Sequence, residues 1–244
     1  MSKYKLIALD MDGTLLDPHS RITARAKEWI GKAGDAGVTV CMATGRGLAL
    51  IVPFMRELDL YTPIVAANGS EIWRNPDELD SRSVLEPSDV EFMYELSVKY
   101  ESWFWANGVN SEYNRNHWIG DVRSDEWLKF GYYTDNDKAR LSIIDELTAR
   151  GGLELSNSDP NNIEVNPSGV HKAFGVRRVC ELVGCTMDEV VAMGDSLNDL
   201  ELIRQAGLGI AMGNAQQAVK EAADAVTATN AQDGVAEAIR RYVL

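Results

Sequence analysis

Leu6-Ile7-Ala8-Leu9 is apolar at every position, with no polar residue alternating. A strand that reads this way has both faces covered, as in a parallel sheet flanked by helices. The run stops abruptly at Asp10-Met11-Asp12-Gly13-Thr14. Two acids with one residue between them, at the tip of a buried strand, resist joint ionisation unless a cation offsets them. The opening of the chain therefore demands two things together. One is a doubly covered strand, and the other is a carboxylate site of the kind a divalent metal serves.

The same rhythm recurs. Thr23 is a candidate cap for a helix carrying Ala26, Trp29, Ile30 and Ala33. Residues 38–43 read as a strand, 48–58 as a helix and 63–67 as a strand. After a long interruption it resumes with a helix over 170–182 and strands over 189–193, 208–212 and 225–227 with helices between them. Strands alternating with helices predict an α/β, Rossmann-like core with a parallel sheet. The interruption is rich in Trp, Tyr and Asn. It reads as a helix from Ser88 to about Tyr100, a hairpin turning at Asn107-Gly108, a strand near 129–134, a helix over 138–149 and two closing strands. Such a segment is a small antiparallel α+β domain set into the core. We place the core at 1–82 and 168–244 and the insert at 83–167. Trp103 and Trp105 alternate onto one strand face, which we expect to be the insert's own core.

A length of 244 residues suits one domain carrying an insert. The net charge of −13 argues against nucleic acid or an anionic membrane as the main partner. It leaves anionic small molecules open, because a local metal overrides the global field. Cys41, Cys180 and Cys185 form no framework, so reduced thiols and a cytoplasmic setting are expected. No apolar run is long enough for a membrane span or a leader. No exposed stripe marks an interface, so a monomer or weak homo-oligomer is expected.

Polar residues gather where predicted strands end, at Asp10 and Asp12, at Thr44-Gly45-Arg46, at Asn68-Gly69, and at Asp195, Asn198 and Asp199. In an open parallel sheet, ligands bind beyond the carboxyl ends of the strands, so these loops converge. Lys172 opens a helix, where a cation opposes the helix dipole and hints at a nearby anion. Acids for a metal, a hydroxyl for phosphate and a cation are the parts of phosphoryl transfer through a carboxylate nucleophile. Each part alone has a plainer reading. Asp12 and Gly13 make a turn, Thr44-Gly45 ends a strand, Asn68-Gly69 makes a hairpin turn leading into Ser70-Glu71-Ile72-Trp73, Arg46 pairs with an acid or meets substrate, and Asp199 begins a helix. An EF-hand is excluded, since its sixth and twelfth positions would be Leu15 and Arg21. The glycines 207, 209 and 213 have the wrong spacing for a dinucleotide fingerprint.

Taken as a set, Asp10-Met11-Asp12-Gly13-Thr14, Ala43-Thr44-Gly45-Arg46, Lys172 and Gly194-Asp195-Ser196-Leu197-Asn198-Asp199 resemble the motifs of the haloacid dehalogenase superfamily. Their order and the position of the insert resemble its Cof-type (subfamily IIB) phosphatases. The family usually has Gly after the motif lysine, where this chain has Ala173. The resemblance implies Mg²⁺-dependent hydrolysis of small-molecule phosphate monoesters, such as sugar phosphates, with the insert acting as a cap. It implies Asp10 as nucleophile, Asp12 as acid and base, and Lys172 as the neutralising cation. It further implies Mg²⁺ held by Asp10, Asp12 and Asp195, with Met11, Thr44, Gly45, Lys172 and Asn198 at the phosphoryl group. A dedicated phosphoglycolate or sugar-phosphate phosphatase, a phosphomutase and a non-catalytic phospho-ligand module remain alternatives. The sequence assigns no role to Arg46, Asn68 or Asp199.

Overall fold

The computed structural model describes residues 2–244. In chain order the elements are β1 (Leu6–Leu9), α1 (Ala24–Asp35), β2 (Thr39–Ala43), α2 (Leu48–Glu57), β3 (Ile64–Ala66), β4 (Glu71–Asn75) and β5 (Glu78–Arg82). Next come α3 (Pro87–Lys99), β6 (Trp103–Gly108), β7 (Glu112–Asn114), β8 (Trp127–Tyr133), α4 (Asp137–Arg150), β9 (Leu153–Ser156) and β10 (Asn162–Pro167). The chain finishes with α5 (Lys172–Val183), β11 (Val190–Gly194), α6 (Leu200–Gln205), β12 (Leu208–Ala211), α7 (Gln217–Ala222), β13 (Ala225–Val226) and α8 (Gly234–Ala238). The elements fall into two compact units. One runs up to Ser81 and resumes over Lys172–Leu244, and the other is Arg82–His171. Arg82 and residues 168–171, read with the core from the sequence, fall in the second unit.

The first unit is built on a sheet in the order β13-β12-β11-β1-β2-β3-β4-β5. Every neighbouring pair from β13 to β3 is parallel. β1 lies between β11 and β2, with Ala8 opposite both Ala192 and Cys41. That central place is why Leu6–Leu9 is apolar throughout and wholly buried. The mixed architecture expected of the α/β core is present. α1 packs on α8 and β2, while α5 lies against β2, β3 and β4.

The hairpin turn read at Asn68-Gly69 leads into β4, while β5 was not foreseen. β4 pairs antiparallel with β3, Ile64 opposite Trp73 and Ala66 opposite Glu71. The β4–β5 hairpin is polar, so its pattern reads as loop. Its support comes from distant residues: Asp80 accepts from Arg74 and, through both oxygens, from Arg178 on α5.

The second unit is an antiparallel sheet, β7-β6-β8-β10-β9. α3 packs on β6 and β8, and α4 on β9 and β10. Its core holds Met93, Leu96, Phe104, Phe130, Tyr132, Ile143, Leu147, Ile163 and Val165. Three expectations need correction. α3 starts at Pro87, whose missing N–H suits a first helical position, so Ser88 is not its cap. The hairpin does not turn at Asn107-Gly108, because both residues stay in β6 and the chain reverses after them. There Gly108 N–H donates to Ser111 O, and the Asp125 carboxylate accepts from the backbone and side-chain amides of Asn110. The core face of β6 carries Phe104 and Ala106, not the tryptophans. Trp105 lies on the other face, over Gly131, where a Cβ would come within 2.3 Å of the indole.

Candidate active site

β1 delivers Asp10 to the end of the sheet and the chain then turns tightly. Gly13 makes this possible with φ of +78°. It is also required sterically, since a Cβ there would sit 2.4 Å from Asp195 Oδ2. The turn is tied from outside by residues that the sequence reading did not single out. Asn214 donates to Gly13 O at 2.8 Å, and Asn230 donates to Leu16 O at 2.8 Å. No local motif marks these asparagines, because their partners lie some two hundred residues away in sequence.

β11 brings Asp195 beside that turn. Its two carboxylate oxygens accept from Thr14 Oγ1 and Ser196 Oγ, each at 3.1 Å. Asp199 folds back on the same loop, accepting from the backbone N–H of Asp195 at 3.0 Å and of Ser196 at 3.2 Å. Lys172, at the start of α5, is completely buried. Its Nζ donates to Asp10 Oδ1 at 2.6 Å and to Asp199 Oδ1 at 2.7 Å. The anion implied by a lysine in a first helical turn is therefore a pair of acids from two other loops.

Burial decides the electrostatics. It pushes the Asp10 carboxyl well above the usual carboxylate range, against the opposing pull of Lys172. It raises Asp195 to about 6, with Asp199 adding to the effect. Burial works against charge on Lys172, but Asp10 and Asp199 override it and hold its pKa above the ordinary lysine value. Asp10, Asp195 and Asp199 place one oxygen each within 4.8 Å of one another. Three clustered acids, two of them sharing one ammonium, supply an all-oxygen donor set that suits a hard divalent cation.

At the end of β2, the buried Thr44 hydroxyl accepts from Arg46 N–H at 3.2 Å, which leaves its own proton to donate. Asn68 N–H donates to Thr44 O, fastening the β3–β4 turn onto this loop. The Asn68 side chain is buried and accepts from Asn198 Nδ2 at 3.3 Å. Asn68 thus serves the hairpin and the site together, and Asn198 is brought in beside it. Met11 and Asp12 follow Asp10 in the same turn. The Met11 side chain is wholly buried in the core. The Asp12 carboxylate accepts from Arg46 Nε and Nη2.

A family model described as haloacid dehalogenase-like hydrolase matches residues 7–140 and 106–239. The chain belongs to the haloacid dehalogenase-like hydrolases. A Bacillus subtilis phosphatase named for 5-amino-6-(5-phospho-D-ribitylamino)uracil is 45% identical over 240 residues, 98% of this chain and 96% of its own. A solved haloacid dehalogenase-like hydrolase from Bacteroides thetaiotaomicron is 32% identical, with a TM-score of 0.82 over 98% of this chain and 99% of its own. The subclass IIB sugar phosphatase BT4131 shares the fold, with a TM-score of 0.87 over 98% of each chain at 21% identity. Within the haloacid dehalogenase-like hydrolases, this chain is a phosphatase acting on small phosphate esters.

Proposed function

We propose that this phosphatase hydrolyses phosphate monoesters through an aspartyl phosphate on Asp10, with Mg²⁺ as its cation. The observation that carries the reading is the buried Lys172 bridging Asp10 and Asp199. It holds Asp10 in one orientation and keeps cationic charge where phosphoryl oxygens would gather. Asp10 Oδ attacks phosphorus as the bond to the leaving oxygen breaks. Asp12 gives that oxygen a proton. Water then attacks the acyl phosphate, and Asp12 takes a proton back. Thr44, the Gly45 amide and Asn198 hold the phosphoryl group, and Asp199 orients Lys172 and the Asp195 loop. Held by the Asp10 and Asp195 carboxylates and the Asp12 carbonyl, Mg²⁺ would neutralise charge on the transferring group. The unit Arg82–His171 acts as the cap that covers the ester, and the remaining chain is the hydrolase core.

The full-length similarity to the ribitylaminouracil phosphatase makes that ester the first substrate to try, ahead of sugar phosphates. The test is phosphate release from a panel of both classes, with Mg²⁺ or with EDTA. Release should require Mg²⁺ and fall below about one-thousandth of wild type in Asp10→Asn. Release that survives this substitution would rule out Asp10 as the nucleophile.

A further inference from the structure

Asp12 is needed twice, once with its proton and once without. Its side chain is 55% exposed, so packing does not choose its rotamer. Arg46 does. Arg46 Nε donates to Asp12 Oδ2 at 2.7 Å and Nη2 donates to Oδ1 at 2.6 Å. A two-pronged arginine–carboxylate pair fixes the carboxylate plane as well as its place.

Arg46 is itself well held. Its side chain is only 23% exposed and its guanidinium lies over the Phe54 ring, 5.3 Å from the centroid. Its backbone N–H donates to Thr44 Oγ1, and its carbonyl accepts from Ala67 N–H at 2.8 Å. The loop that presents the Thr44 hydroxyl therefore also grips the acid. A half-exposed ion pair contributes little to stability, so ordering the acid is what this pair achieves.

We propose that Arg46 is the positioning residue for Asp12, an inference that rests on the phosphatase reading above. The two prongs keep the carboxyl aimed. That proton passes from Asp12 to the leaving oxygen as the ester P–O bond breaks. The attacking water returns a proton to Asp12 in the second step, so Asp12 ends as it began and one water is consumed. Arg46 neither gives nor takes a proton.

The test is a series of phosphate esters running from p-nitrophenyl phosphate, whose leaving oxygen needs no proton, to alkyl phosphates, whose leaving oxygen does. kcat/KM is measured for wild type, Asp12→Asn, Arg46→Ala and Arg46→Lys, with circular dichroism confirming the fold. Lysine keeps the charge but not the fork. Both Arg46 variants should follow Asp12→Asn, losing about tenfold or more extra on alkyl esters relative to p-nitrophenyl phosphate. Adding Arg46→Ala to Asp12→Asn should not steepen the series further. A loss uniform across the series, or no loss, in whichever Arg46 variants fold would overturn the proposal while leaving the phosphatase reading intact. Wild-type protein that releases phosphate from no ester would remove the parent reading and this one with it.

Discussion

Asp195 shows how burial of a single acid couples stability to pH. Burial lifts its pKa to about 6. Its folded-state pKa lies above its unfolded one, so its stabilising contribution is complete below the unfolded value and is lost as pH rises through about 6. Asp10, lifted well above the usual range mainly by burial, acts in the same direction. In EDTA, Tm should therefore fall as pH rises from about 4 to about 8. Added Mg²⁺ binds the folded form, so it should raise Tm most at the upper end of that range. Thermal scans across pH, with and without the metal, would show it. A metal-induced shift that does not grow with pH would mean that these acids are not the ligands. At this scale most of the site was legible. Asp10, Asp195, Lys172 and Thr44 stand out because their chemistry is wrong for where they sit, namely acids and a cation at the ends of apolar runs. Asn214 and Asn230 were not legible, because an asparagine that holds a backbone carbonyl looks like any loop asparagine.

Among the elements, the turn after β1 is the most constrained. Gly13 is needed both for its positive φ and for the space beside Asp195. Gly13→Ala should cost roughly 1–3 kcal/mol from the backbone conformation alone. It should also weaken metal binding by displacing Asp195. Urea unfolding and a metal titration of the variant would measure the two effects separately. The parallel strands were legible because burial on both faces leaves an unbroken apolar run. The β4–β5 hairpin was not, since it is polar and owes its place to β3 and to Arg178 on α5. The tryptophans misled for a related reason. Alternation correctly puts Trp103 and Trp105 on one face, but which face the helices cover is decided by α3 and α4, and they chose Phe104 and Phe130.

For the whole molecule, the core is discontinuous in sequence while the inserted unit is continuous. Arg82–His171 has its own sheet, two helices and an apolar cluster with stacked Phe104 and Phe130 rings. A fragment of those residues should fold alone and melt cooperatively, with a near-ultraviolet dichroism signal from its packed aromatics. A fragment that stays unfolded would show that the unit depends on the rest of the chain. The family and the reaction were legible at this scale because a handful of motifs in fixed order report both. Substrate identity was not, since the motifs report the phosphoryl group and none of them reports the leaving group.

The burial of Lys172 has a consequence outside catalysis. Amine-directed acylating reagents attack the neutral, accessible form of a lysine, and this one is charged, covered and doubly bonded. The other lysines, apart from Lys129, lie at least partly open to solvent and would react with the folded protein. Lys172 must wait for the core to come apart. Its acylation rate is therefore a built-in clock for opening of the folded state, readable by mass spectrometry at a single peptide and requiring no engineered label.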